Sequence, residues 1–507
     1  MDYADPVPAR MTFAEWGTRF AQIPTELIHR YHYFGSPQSH RVAPGPRNGP
    51  DDSAVRNHPP PAAYPWSTYL FPPQTFAIYG SRHLRRLRFD NSLAALRMWG
   101  FVMSETERLF RARQIGRQVI ATMGDLGGTP PMVLAAGNTV PFYPDCIWWV
   151  PFTNESTVLF DAAAALGIGE SACYSRAALG AFAKQSYFPS PALCIGATGA
   201  SCDDYSAVEQ LVADMGYPMH WFELPLRKDC AGGRGEFDRT PAGVDYQRSA
   251  RDLLISQFRS LRRHLEHALG RKITDDALSS SIRRVNGVRR TVARIRESVY
   301  SAPASVFPAL EMMVMEFGNL HFYSDIDEWQ SILTHIEQTV EQRLKQGQYL
   351  TTGDRQPVTG NRLRVVWVTP PADPLLLCYA EDLGLQVVGT EYVINQALHE
   401  IPEDQEPLAA LAETLLNASL IGSSRARSRS VIEQAQRHHA DGIVISGILG
   451  GSHCAFETSL IQEYVAAETE LPVLAFDVPA PATAISSQVQ TRLEAFAELL
   501  RARRNDE

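Results

Sequence analysis

Apolar positions along this chain follow two alternating periods. From about Ser92 into the 120s, in SLAALRMWGFVMSETERLFRARQIGRQVIATMG, they recur every three or four residues, which predicts a long helical stretch. A different pattern follows. PPMVLAAGNTVPFYP predicts a helix running into a short strand, PALCIGATG a buried strand with a glycine turn, DYSAVEQLVADMG a helix ended by Gly216, and PMHWFELP a returning strand. Strands alternating with helices imply a parallel sheet covered by helices. Residues 241–350 return to helical spacing, as in ARDLLISQFRSLRRHLEHALG, and predict a helical cap or insertion between two sheet domains. The strand grammar then resumes. NRLRVVWVTPP, LQVVGTEY, IVISGILGGSHC and LPVLAFDVP predict strands. DPLLLCYAEDLG, SRSVIEQAQRHHADG, FETSLIQEYVAAETE and a last segment containing TRLEAFAELLRAR predict helices.

The expected class is therefore α/β with two parallel-sheet domains. A mainly helical N-terminal region spans 1–120 and contains a Pro-rich linker at 41–65. A first α/β domain spans 121–240, a helical connecting region 241–355, and a second α/β domain 356–507. The length of 507 residues suits two or three domains. The net charge of -9 gives no general argument for nucleic-acid binding. Two basic stretches stand out, RHLRRLR (Arg82 to Arg88) and RRVNGVRRTVARIR (Arg283 to Arg296). They read as solvated helix faces, with docking of an acidic partner or an anionic substrate as the sharper alternative. The start, MDYADPVPARMTFAEW, lacks the pattern of a signal peptide, and no apolar run reaches the roughly 18 residues of a spanning helix. A cytoplasmic protein with no membrane partner is expected.

The chain has seven cysteines, too few and of the wrong parity for a dense disulfide framework, which points to a reducing compartment. Cys146, Cys194 and Cys378 sit in apolar contexts and read as small buried hydrophobes. Cys230 reads as a loop residue without a role. Cys202 and Cys454 follow the glycine-rich turns CIGATGAS and SGILGGSH, so they are expected in loops past a strand's carboxyl end, and Cys173 is placed there on one reading. Ligands in open α/β sheets collect at such loops, and glycines let backbone approach a bulky object. Three thiolates converging from separate loops could hold a soft metal or a cluster. The residues alone leave coincidence open, because no CxxC signature is present. Asp203 and Asp204 are expected to cap a helix beginning near Tyr205, or to contact the site from behind. His220, His453 and Glu457 are the candidate proton donors and acceptors, and His220, inside an expected strand, also reads as a core histidine. No Walker A, complete GxGxxG, HExxH or GxSxG pattern occurs.

The segments CYSRAALG, ASCDDYSAVEQL, HWFELP, LRVVWVTPPADPLLLCYAEDLGLQVVGTEY, ADGIVISGILGGSHC and ELPVLAFDVP with TRLEAF together resemble the family of 2-hydroxyacyl-CoA dehydratase and benzoyl-CoA reductase subunits. The likeness covers about residues 120–507. It implies two Rossmann-like parallel-sheet domains with helical N-terminal and inter-domain segments. It implies a [4Fe-4S] cluster held by Cys173, Cys202 and Cys454, with Ser201 where the family usually has threonine. The fourth iron position would be left to water, substrate or another group, His453 and Glu457 included. It further implies a homologous second subunit, a separate ATP-hydrolysing iron–sulfur activator protein, and an acyl-CoA or aryl-CoA substrate. The implied activity is low-potential one-electron chemistry that either eliminates water from a 2-hydroxyacyl thioester or reduces an aromatic ring. Two alternatives stay open, a non-catalytic electron-relay or structural partner subunit, and an α/β binding protein without the cluster. The first 120 residues match nothing in that family's pattern.

Overall fold

The computed structural model describes residues 4–28, 30–31, 69–70, 84–124, 127–144, 157–169, 172–228, 236–350, 362–479 and 485–506, with residues 452–455 and 506 described by their backbone alone. The tract at 41–65, Cys146 and Cys230 lie outside the described residues.

Two four-stranded parallel sheets carry the architecture, so the α/β expectation holds. A short antiparallel ladder of β1 (Arg10–Met11) and β2 (Phe89–Asp90) precedes them. The first sheet contains β3 (Gln118–Thr122), β4 (Thr139–Phe142), β5 (Leu193–Gly199) and β6 (Met219–Leu224), in the spatial order β4-β3-β5-β6. A small antiparallel pair follows, β7 (Phe237–Arg239) with β8 (Asp245–Gln247). The second sheet contains β9 (Leu363–Val368), β10 (Leu385–Glu391), β11 (Gly442–Ile448) and β12 (Val473–Val478), in the order β10-β9-β11-β12. Both sheets thus share one topology. The chain builds outward on one side of its first strand, then crosses back to the other side. The crevice past the carboxyl ends of the first and third strands is where such sheets bind ligands. Continuous apolar runs make the central strands: β11 is buried at every position, and β9 at all but Arg364.

In chain order the described helices of seven or more residues are α1 (Phe13–Phe20), α2 (Leu93–Met103), α3 (Glu105–Gln114), α4 (Thr129–Ala135), α5 (Thr157–Ala165), α6 (Ser175–Lys184) and α7 (Asp203–Asp214). Then come α8 (Arg248–Leu269), α9 (Asp275–Tyr300), α10 (Ala309–His321) and α11 (Ile326–Gln346). The last five are α12 (Leu375–Asp382), α13 (Pro407–Leu415), α14 (Ser424–Arg437), α15 (Ser452–Glu468) and α16 (Ser487–Asp506). The expected helix from Ser92 into the 120s is corrected at its far end. Gly116, at φ +84, stops the chain after α3, and Gln118–Thr122 is the first strand of the first sheet. Its β-branched Val119, Ile120 and Thr122 suit a buried strand better than a helix.

The helices between the sheets pack on both. α8 lies against β6 and α13, while α9 contacts α4, α11 and β10. The basic stretch on α9 is not one solvated face. Arg284, Arg290 and Arg294 are exposed and paired with Asp327, with Glu400 and Glu403, and with Glu337. Arg289 instead is fully buried. Its Nη1 donates to the carbonyls of Gln396 (3.0 Å) and His399 (2.7 Å), and its Nη2 to that of Gly127 (3.0 Å). Gly127 lies past β3 and the other two past β10, so one guanidinium joins loops from the carboxyl ends of both sheets. No helix among the described residues is long and apolar enough to cross a membrane.

The N-terminal elements are anchored by buried charge. Arg343 on α11 pairs with Asp90 through two bonds of 2.6 and 3.0 Å. Beside them, Glu311 on α10 accepts from the Asp90 N–H (2.9 Å) and from Trp99 Nε1 (3.0 Å). Burial, followed by the Asp90 charge, raises Glu311 from its ordinary 4.5 to about 8. Its carboxyl group keeps a proton in the folded chain that the unfolded chain releases near pH 4.5. The unfolded state therefore binds fewer protons between pH 4.5 and about 8, and stability falls as pH rises through that window. Glu311→Gln is expected to flatten this slope and to be more stable than wild type at pH 8. Denaturation midpoints at pH 5 and pH 8 check it, and an unchanged slope would count against the assignment.

Candidate metal centre

Residues from the carboxyl ends of both sheets meet at one seam. β5 ends on Gly199 at φ +82, where any side chain would run into the carbonyl of Leu224. The turn it permits brings the chain through Ala200 and Ser201 to Cys202, the N-cap residue of α7. β11 ends in a comparable way. Gly450 at φ +83 precedes Gly451, the N-cap residue of α15, whose first turn carries His453 and Cys454. Cys202 and Cys454 therefore follow the third strand of their respective sheets, and α7 packs against α15.

Cys173 arrives differently. It lies between α5 and α6, two residues before Ser175, and follows no strand. Its thiol donates to Ser175 Oγ at 3.3 Å and its sulfur accepts the Ser175 N–H at 3.4 Å. Burial holds this thiol well above its ordinary 9.0, and the charges of Cys202 and then Asp204 push the same way. The next residue, Tyr174, donates its hydroxyl to the carbonyl of Ala372, just past β9. Adjacent Asp373 pairs with Arg86 at 2.7 Å. The Cys173 loop thus contacts the first strand's exit in the second sheet.

The helix after Cys202 begins at Asp203, earlier than expected, and Cys202 rather than an aspartate holds the N-cap position without a side-chain capping bond. Asp203 and Asp204 occupy the first turn, where a negative charge suits the helix dipole. Glu457 lies in the second turn of α15. Its Oε1 accepts from Ser424 Oγ (2.8 Å) and its Oε2 from Arg427 Nη1 (2.7 Å). Arg427 also donates from Nε to Glu391, the last residue of β10, and from Nη2 to Thr369 Oγ1 (3.1 Å), just past β9.

His220 is not brought to the seam. It pairs in register with Ile195, four residues before the Gly199–Leu224 pair that ends the sheet. At the rise of a strand this places it about 13 Å from the carboxyl edge. Its ring lies 4.9 Å from that of His264 on α8, and burial, then the His264 charge, lowers it to about 4. It is a neutral histidine of the core. Cys194 on β5 and Cys378 on α12 are buried away from the seam, Cys378 with its sulfur on the Arg88 carbonyl, and burial raises both thiols to about 12.

Among the described residues no three His, Cys, Asp or Glu side chains form a metal-binding group, and the side chains of His453 and Cys454 lie outside that description. The donor chemistry at the seam nevertheless fits a cluster. Cys173 and Cys202 are both partly buried, the Cys173 sulfur already accepts a backbone N–H, and the helix bearing a third cysteine lies against the helix that follows Cys202. The pattern of the sequence missed Tyr174, Arg427 and Glu391. Only the helical spacing of Arg427 with Val431, which puts both on the inward face of α14, could have signalled the arginine.

The family described as 2-hydroxyglutaryl-CoA dehydratase, D-component, matches residues 128–500. A protein of Escherichia coli (strain K12), provisionally named dehydratase subunit YjiM, is 24% identical over 320 residues, covering 62% of this chain and 76% of that protein. The (R)-phenyllactyl-CoA dehydratase beta subunit of Clostridium sporogenes is 23% identical over 201 residues, covering 39% of this chain and 50% of that subunit.

Proposed function

Because this chain belongs to the 2-hydroxyglutaryl-CoA dehydratase D-component family, we propose that it is the iron–sulfur subunit of a cytoplasmic dehydratase acting on an acyl-CoA thioester. The proposal extends to a homologous second subunit and an ATP-hydrolysing activator that supplies electrons. The observation that supports it is that α7, headed by Cys202, meets α15, which carries Cys454, while the Cys173 loop touches the second sheet through Tyr174. These three residues would hold a [4Fe-4S] cluster. When bound, the cluster would supply one-electron reduction at low potential.

The chain's own residues have separable tasks in this proposal. Cys173 is a partly buried thiol held well above its ordinary 9.0, and it must lose its proton to become a ligand, so loading releases protons and weakens as pH falls. The Ser175 N–H stabilises the thiolate that results. Tyr174, bonded to Ala372, fixes the Cys173 loop against the second sheet and helps close the seam to water. His453, in the first turn of α15, is the candidate for holding or moving a proton at the substrate. Glu457 orients α15, since both its oxygens are occupied by Ser424 and Arg427.

Anaerobic purification followed by iron and sulfide analysis tests the proposal. About four irons and matching sulfide per chain are expected, with a paramagnetic signal after reduction. Stoichiometric occupancy by another metal, in colourless protein, would end it.

A further inference from the structure

We propose that Arg427 is a positioning residue that indexes the start of α15, and with it Cys454, against the carboxyl ends of β9 and β10; this rests on the iron–sulfur reading above. The arginine side chain is 1% exposed, and all three guanidinium nitrogens are used. Nε reaches Glu391 at the end of β10, Nη2 reaches Thr369 just past β9, and Nη1 reaches Glu457 on α15. One planar fork therefore joins the paired ends of β9 and β10 to α15. Its far ends are themselves held. Glu391 accepts from Ser419 Oγ (2.8 Å), Glu457 from Ser424 Oγ (2.8 Å), and the Thr369 N–H donates to the Glu391 carbonyl (2.8 Å). Thr369 is kept at φ +66, a conformation a β-branched residue adopts only under constraint.

Glu457 lies three residues beyond Cys454, the spacing at which helix positions neighbour one another. Fixing Glu457 therefore fixes the rotation of the turn that carries the cysteine. A buried arginine between two carboxylates is a poor device for stability alone, because desolvation offsets much of its attraction and an apolar replacement is often as stable. Such a fork does define geometry, and a lysine could not bond all three partners at once. Glu457 is thus a strut between Arg427 and α15, and its charge is secondary to its shape.

The test uses reconstituted full-length protein and reads iron loss to a chelator under anaerobic conditions, with the paramagnetic signal of the reduced protein as a second readout. Arg427→Gln and Glu457→Ala are expected to lose iron about 10-fold faster or more, as for other groups that support metal ligands, and to alter the signal. Glu457→Gln, which keeps the acceptor for Arg427 and a polar atom for Ser424, is expected to stay close to wild type in both. Circular dichroism and the thermal midpoint report folding. Should Arg427→Gln not fold, Glu457→Ala carries the decision, because it leaves Arg427 paired with Glu391. Wild-type iron retention in folded Arg427→Gln or Glu457→Ala overturns the inference, as does a Glu457→Gln variant as damaged as the alanine. A wild-type protein that takes up no more iron than Cys202→Ser overturns the iron–sulfur reading itself.

Discussion

Cys202→Ser is expected to remove most of the iron while leaving the chain folded. The two consequences have separate causes. Cys202 is the N-cap residue of α7 and makes no side-chain capping bond. Serine is among the preferred N-cap residues and is worth about 0.5–2 kcal/mol over alanine there, so the substitution keeps or improves the helix start. What it removes is a soft, ionisable sulfur at the start of α7. Iron content, visible absorbance and the thermal midpoint, taken on one anaerobic preparation, separate the effects. Cys194→Ser is the control. Cys194 is buried within β5 away from the seam, so a hydroxyl there should lower stability and leave iron in place. A Cys202→Ser protein with wild-type iron would remove Cys202 from the site.

Arg343→Met is expected to be the most destabilising of these substitutions, by about 3–5 kcal/mol, because it strands a buried charge. Asp90 is fully buried, and apart from its two bonds to Arg343 its carboxylate accepts from the Ser92 N–H (2.8 Å). Arg343 also donates to the Val306 carbonyl (3.0 Å), which would lose its donor. Glu311 beside it keeps its proton up to about pH 8 and brings no compensating positive charge. Converting Asp90 to Asn in the same chain should recover much of the loss, since removing both charges avoids an unpaired one. Chemical denaturation of wild type, the single variant and the double variant measures this. A double variant no more stable than Arg343→Met would mean the pair is not what anchors this region.

The sheets were legible where burial demands uninterrupted apolar residues. VVWV in β9 and GIVISGI in β11 permit little else, and the glycines after β5 and β11 mark the turns. β3 was not legible. Gln118–Thr122 follows a long helical pattern and is short, so a helical period runs into it unless Gly116 is taken as a stop. The aspartates after Cys202 looked like caps because aspartate usually caps. The chain instead places the cysteine at the N-cap position and the acids in the first turn. The three cysteines stand apart from the rest in sequence context, and the structure puts Cys173 between α5 and α6 and Cys202 at the N-cap of α7. The polar framework around them was invisible. Arg427 sits in a stretch, SRARSRS, that looks like a solvated face, and its partners come from positions 36 residues before it (Glu391) and 30 after it (Glu457). Periodicity reports which way a residue points within its helix; it carries no information about which distant carboxylate waits there.

Arg289 has a consequence for how the seam is filled. Its three carbonyl partners come from loops that exit different sheets, so the width between the two halves is fixed by the folded polypeptide before any guest arrives. An inorganic core entering there would not have to draw the halves together, and little ordering would accompany its insertion. The same rigidity makes the cradle intolerant: a guest of the wrong diameter would be turned away instead of being accommodated.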